Sequence, residues 1–184
     1  MYIAIISASI RVNNNTQRVA ALINQYVQSN TGYKTKLLDL NTYQFPLFTE
    51  RLSHQPHPQP NVIEFANAIK NSQGVIIVVP EYNGGYPAAL KNVVDLLYSE
   101  WYHKPVAIST VSDGSFGGSQ VITSLQFVLW KMKAITVPAM FPNPNVKNEL
   151  NEQGQALPDS PVYKRLSAFI AELIWCIEAV NKMK

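Results

Sequence analysis

Two runs in this chain, Val75 to Val79 and Val106 to Val111, consist almost entirely of β-branched and small residues. A strand with one wet face alternates apolar and polar side chains, so an uninterrupted run of five or six belongs to a strand covered on both faces. Helices that cross between parallel strands provide that cover, and the rest of the chain supplies them. Short apolar runs alternate with stretches of helical period, which argues against separate all-β and all-α halves.

Tyr2 to Ser7 reads as the first strand. Val19, Leu22, Ile23, Tyr26 and Val27 then recur at three- and four-residue spacing on a helix that Asn30, Thr31 and Gly32 end. Lys34 to Leu40 alternates like an edge strand. Val62, Phe65, Ala66 and Ile69 mark a second helix, Leu90, Val93, Val94 and Leu97 a third, and Val121, Leu125, Val128 and Met132 a fourth. Ile135 to Val137 reads as a short fifth strand stopped by Pro138. Leu166, Phe169, Ile170, Leu173, Ile174 and Ile177 define a closing helix. Five strands and five helices in alternation predict an α/β fold of flavodoxin-like type: a doubly wound, five-stranded parallel sheet of order 2-1-3-4-5 with helices on both faces. The 184 residues are expected to form one domain, 1–184.

Charge suggests neither of two classes of partner. Fifteen Lys and Arg stand against 12 Asp and Glu, a net +3 with no basic run, so neither a nucleic-acid surface nor a strongly acidic electron-carrier surface is indicated. The segment from Met1 to Ile6 has no positive flank and is too short to span a bilayer, so no membrane segment is read and cytoplasm is expected. The single cysteine, Cys176, on the apolar side of the last helix, reads as a core residue. His54 and His57 stand in the Pro-rich segment from Ser53 to Pro60, expected to be an extended, exposed connector. With no third ligand nearby they read as loop residues and not a metal pair. His103 reads as a helix C-cap, and no Ser–His–Asp arrangement is present.

In an open α/β sheet ligands bind beyond the carboxyl ends of the strands where the winding reverses, here between strands one and three. Three loops reach that end. Ala8 to Gln17 is rich in hydroxyls and amides, contains Arg11 and runs into a helix N-terminus, which suits an anion. The alternative use is that Asn15 or Thr16 simply caps the helix. GxGxxG and GxxxxGK[ST] are both missing, which favours a monophosphate over a dinucleotide or nucleoside triphosphate. Pro80 to Pro87 contains Asn83-Gly84-Gly85, able to take positive φ and leave amides free for a ligand. Ser112 to Gly118 again offers glycine backbone. A planar ring with acceptors and a donor along one edge, as in isoalloxazine, has that demand, with tight βα turns as the alternative. Glu81 and Asp113 are the carboxylates of these loops, and either can instead bond nearby backbone.

Pro80-Glu81-Tyr82-Asn83-Gly84, with Pro87, Leu90-Lys91-Asn92 and Asp95, resembles the signature of the NAD(P)H-dependent FMN reductases, a flavodoxin-like group that includes quinone, azo-dye and chromate reductases. Ser9-x-Arg11 and Ser112-x-Gly114 through Gly117-Gly118 resemble two further motifs of that family, and the resemblance covers residues 1 to about 140. It implies FMN phosphate on Ser9, Arg11, Asn14, Asn15, Thr16 and Gln17. The isoalloxazine edge would lie on Pro80, Glu81, Tyr82, Asn83 and Gly84, with Ser112 and Gly114 closing the pyrimidine side. The chain departs from the family at Ala8, where Gly is usual, and at Asn14 and Gly85, where Ser is common. The resemblance further implies a homodimer or homotetramer, with Leu90 to Tyr98 and the aromatics Tyr98, Trp101 and Tyr102 at the interface; a core role is the alternative for those aromatics. The expected activity is hydride transfer from NAD(P)H through flavin N5 to a small electron acceptor, in ping-pong order and with no catalytic side chain, because the flavin carries the chemistry. The rival readings are a non-enzymatic electron carrier of flavodoxin type and a flavin-free interaction protein of the same fold.

Overall fold

In the computed structural model, which describes residues 1–183, the two uninterrupted runs form β3 (Gly74–Pro80) and β4 (Pro105–Val111), and every residue of both is buried. They lie inside a five-stranded sheet with β1 (Tyr2–Ser7), β2 (Lys34–Asp39) and β5 (Ile135–Asn143), ordered β2-β1-β3-β4-β5. All pairings are parallel: Ile5 sits opposite Leu37 on one side and Ile76 on the other, and Ile77 opposite Ile108. β2 is the wetter edge, with Lys34 and Leu37 exposed and only Leu38 buried. The flavodoxin-like order expected from the sequence is the order observed.

Side-chain alternation divides the core between two faces. Ala4 and Ile6 of β1 and Val75, Ile77 and Val79 of β3 face α3 (Pro60–Asn71), α4 (Ala88–Leu96) and α5 (Gln120–Lys131), where Phe65, Ile69, Leu90, Val93 and Leu125 meet them. Ile3, Ile5, Ile76 and Val78 face α1 (Asn15–Asn30) and α6 (Val162–Lys182) through Val19, Ile23, Phe169 and Leu173. Each Val, Leu, Ile or Phe side chain among these contributes about 1.5–3 kcal/mol by leaving water. Cys176 belongs to this second layer, and burial pushes its thiol pKa up, with Glu172 acting in the same direction. Trp101 is fully buried in the first layer, which settles its role as core; Tyr98 and Tyr102 meet edge-on at 5.2 Å outside it.

The structure corrects four expectations. β5 is not stopped at Pro138 but continues to Asn143, because the register shifts: between the pairs Val106–Thr136 and Ile108–Met140, β5 accommodates two more residues than β4. An edge strand tolerates proline at such an irregularity, where the missing N–H breaks no ladder. Leu40 leaves β2 and opens a short helix, α2 (Leu40–Tyr43), which Asp39 caps by accepting from Asn41 N. The described residues therefore hold six α-helices, not five. The segment from Ser53 to Pro60 is exposed over most of its length but not extended throughout: Leu52–His54 form a 3-10 turn, and Pro60 opens α3 at the position where proline's missing N–H costs nothing. His103 takes φ +54° in a turn after Trp101, with its N–H on Lys133 O, and caps no α-helix. No described helix is long and apolar enough to cross a membrane.

Candidate functional site

Strands β1, β3 and β4 end on the same side of the sheet, and the loops that leave them line one cleft of ≈ 380 Å³ at the winding reversal. Its walls include Ser9, Arg11, Asn14, Asn15 and Thr16 from the first loop, Pro80, Glu81 and Tyr82 from the second, and Ser112 from the third. Gln17, Asn83, Gly84 and Gly114 lie outside this lining. The volume suits a ligand of cofactor size.

The first loop is held by its own side chains. Asn14 is the N-cap of α1: its Oδ1 accepts from Gln17 N at 3.0 Å and its Nδ2 donates to Arg11 O at 2.8 Å. The cap is thus Asn14, one residue before the two positions considered from the sequence. It uses one helix-end donor and leaves the amides of Asn15 and Thr16 free at the positive end of α1. Gln17 turns its side chain away, donating Nε2 to Asp39 Oδ2 at 2.8 Å. Ser9 Oγ lies 3.1 Å from Tyr82 Oη, and the Arg11 guanidinium sits 5.7 Å from the Tyr82 ring centroid. Those contacts tie the first loop to the second. Ala8 is fully buried with its N–H on Val78 O, so its methyl lies in the core and not in the cleft.

The second loop closes on itself. Tyr82 and Gly85 exchange both backbone hydrogen bonds, at 2.8 and 3.0 Å, around Asn83 at φ +53° and Gly84 at φ +77°. Two central residues in the left-handed region make a type I′ turn, for which Asn-Gly is the favoured pair. The expectation of positive φ and free amides for Asn83-Gly84-Gly85 holds for Asn83 and Gly84 and fails for Gly85, whose N–H is used within the turn, as is that of Tyr82, while Glu81 N donates to Val111 O. Glu81 Oε2 accepts from Gln120 N at 3.0 Å, across 39 residues, and so caps α5. Burial raises the Tyr86 phenol further along the loop, with Lys91 opposing and Asp95 reinforcing.

The third loop also differs from expectation. Gly117 and Gly118, at φ +61° and +75°, press against β4 and β5: a Cβ on Gly118 would lie 3.1 Å from Val111 O, and one on Gly117 3.0 Å from Pro142 Cβ. These glycines serve close packing, and only Gly114 has open space, its nearest neighbour being Ser112 Oγ at 3.8 Å. Asp113 Oδ1 accepts from Asn15 Nδ2 at 2.6 Å, which bridges the third loop to α1. Asn15 Oδ1 is buried and accepts no hydrogen bond from the described residues. Reading the sequence missed Val12, Asn13, Val111, Asp113 and Lys147 as cleft residues. The first two lie between residues already singled out, Asp113 was visible as a loop carboxylate, and Lys147 is the one cation in the Pro- and Asn-rich stretch after β5. Among the described residues no group of three His, Cys, Asp or Glu is placed to hold a metal.

A parallel sheet wound 2-1-3-4-5 with an anion-ready cleft at the reversal defines a flavodoxin-like protein, and comparison of folds agrees. An NAD(P)H:acceptor oxidoreductase from Paracoccus denitrificans superposes with a TM-score of 0.75 at 19% identity, covering 96% of this chain and 97% of its own. The sequence pattern of the NADPH-dependent FMN reductases matches residues 1–147. An NAD(P)H-dependent FMN reductase of Saccharomyces cerevisiae is 34% identical over 146 residues, 72% of this chain and 75% of the relative. A quinone reductase of Pseudomonas putida is 30% identical over 122 residues, 63% of this chain and 62% of that protein. The chain belongs to the NADPH-dependent FMN reductase family. It is an oxidoreductase, with FMN as cofactor and NAD(P)H as electron donor.

Proposed function

We propose that this oxidoreductase reduces a small acceptor, such as a quinone, an azo dye, chromate or free flavin, and that donor and acceptor occupy one open face of the cleft in turn, in ping-pong order. The observation that supports this best is the convergence of three loops on one cleft that combines a free helix N-terminus and Arg11 with the Tyr82 turn and Ser112.

In this reading the amides of Asn15 and Thr16 bind phosphate together with Ser9 and the Arg11 guanidinium, whose planar fork suits phosphate oxygens. Asn14 and Gln17 act by holding the first loop: the Asn14 cap fixes its turn and the Gln17 side chain anchors it to Asp39. Pro80 and Tyr82 edge the ring and Ser112 closes the pyrimidine side; for Asn83, Gly84 and Gly114, outside the cleft lining, a ring contact rests on the family resemblance alone. These residues would hold FMN, which would supply the two-electron chemistry between NAD(P)H and the acceptor. Glu81 is committed to capping α5, so the protein's part is to bind, orient and leave one face open.

Titrating the protein with FMN tests the phosphate assignment. Arg11→Ala is expected to weaken FMN about tenfold with an unchanged circular dichroism spectrum; unchanged affinity would take Arg11 out of the site. Initial rates at several donor concentrations are expected to give parallel double-reciprocal lines against acceptor, and intersecting lines would contradict a shared face.

A further inference from the structure

Arg11 has company above the start of α1. After β5 the chain turns through Asn145, at φ +45°, into a 3-10 turn, Val146–Asn148, and Lys147 on that turn lines the same cleft as Ser9, Arg11 and Thr16. The base of this lysine is fixed. Val146 and Leu150 flank it, each 1% exposed within the layer formed by α1 and α6, and Arg18 of α1 donates Nη1 to Leu150 O at 3.3 Å. A flexible four-carbon stem on a rigid base delivers an adjustable point charge to one place.

The charge is not used inside the chain. Among the described residues no carboxylate pairs with Lys147 or with Arg11, whereas both carboxylates of the cleft are engaged: Asp113 with Asn15 Nδ2, and Glu81 with Gln120 N. Two cations without a carboxylate partner, from loops far apart in sequence, thus line one cleft with the N-terminus of α1, and an anionic ligand there gains from all three. A phosphate monoester is such a ligand.

The geometry points to Lys147 as a second phosphate-binding cation of the FMN site, the residue that together with Arg11 selects the phosphorylated cofactor over riboflavin. This rests on the reading of the cleft as the FMN site. A phosphate monoester dianion engages both cations, while riboflavin carries the same ring and ribityl chain and engages neither.

The test measures FMN and riboflavin affinities for the full chain, for Lys147→Ala and for Lys147→Arg, at low and high salt, with inorganic phosphate as competitor. Lys147→Ala is expected to weaken FMN about tenfold at low salt and leave riboflavin unchanged, and Lys147→Arg to restore most of the loss. The difference shrinks as salt screens the pair, and the inhibition constant of inorganic phosphate against FMN is expected to be higher for Lys147→Ala than for the wild type. An FMN affinity indifferent to Lys147, or equal losses for FMN and riboflavin, overturns the assignment, the second result meaning that Lys147 only shapes the loop. Wild-type protein that binds neither flavin overturns the FMN reading along with it.

Discussion

Glu81 and Tyr43 each acquire their role from a neighbour that is distant in sequence. Glu81 stands in the loop after β3 with a ligand and the backbone both open to it, and Gln120 N decides the matter, since Ser119 at the start of α5 makes no side-chain cap of its own. Tyr43, at the end of α2, stacks on Phe45 at 5.2 Å and meets Phe65 edge-on at 5.2 Å, while its hydroxyl donates to Glu64 Oε1 at 3.1 Å. Burial first, and the Glu64 hydrogen bond and charge second, push its pKa from 10.0 up to about 12. A group raised in the folded state contributes stability that is whole below its unfolded pKa and is lost as pH rises through the folded one. The protein is therefore expected to lose stability between pH 10.0 and about 12, and Tyr43→Phe to flatten that loss in thermal melts across the range. Equal slopes for both proteins would show that the phenol is not held as described. The composition of the sequence announces none of this, because both roles depend on contacts made only after folding.

At the scale of elements, strands and helices were legible because their signal is periodic and local. Val75 to Val79 could only be a doubly covered strand, and Val19 to Val27 only a helix with one buried face. Boundaries failed where a tertiary feature overrode a local one. Pro138 signals a stop, yet pairing with β4 carries β5 past it through a register shift. Loops 112–118 and 80–87 look alike in sequence, but Gly117 and Gly118 are required by contact with β4 and β5, whereas Asn83 and Gly84 form a turn. The difference has a measurable consequence. Gly118→Ala puts a methyl 3.1 Å from Val111 O at φ +75° and is expected to cost about 1–3 kcal/mol. Gly114→Ala, with nothing closer than 3.8 Å and no positive φ, is expected to be nearly neutral. Urea unfolding midpoints at constant slope separate the two; equal midpoints would contradict the packing role.

For the molecule as a whole, the site was legible in outline because a doubly wound sheet places its ligand at one end, so recognising three loops sufficed to bring Ser9, Arg11, Tyr82 and Ser112 together. Lys147 stayed hidden because its place follows from how the chain returns after β5, and no pattern in the loop records that return. The central claim is that this cleft holds FMN where NAD(P)H can reach it and an acceptor can follow. Anaerobic stopped-flow mixing of FMN-loaded protein with NADPH, and separately with NADH, tests it most directly. The account predicts that at least one donor bleaches the flavin's visible absorbance at a rate that saturates with donor concentration, and that a quinone added afterwards restores the colour. Slow bleaching that never saturates with either donor would contradict it.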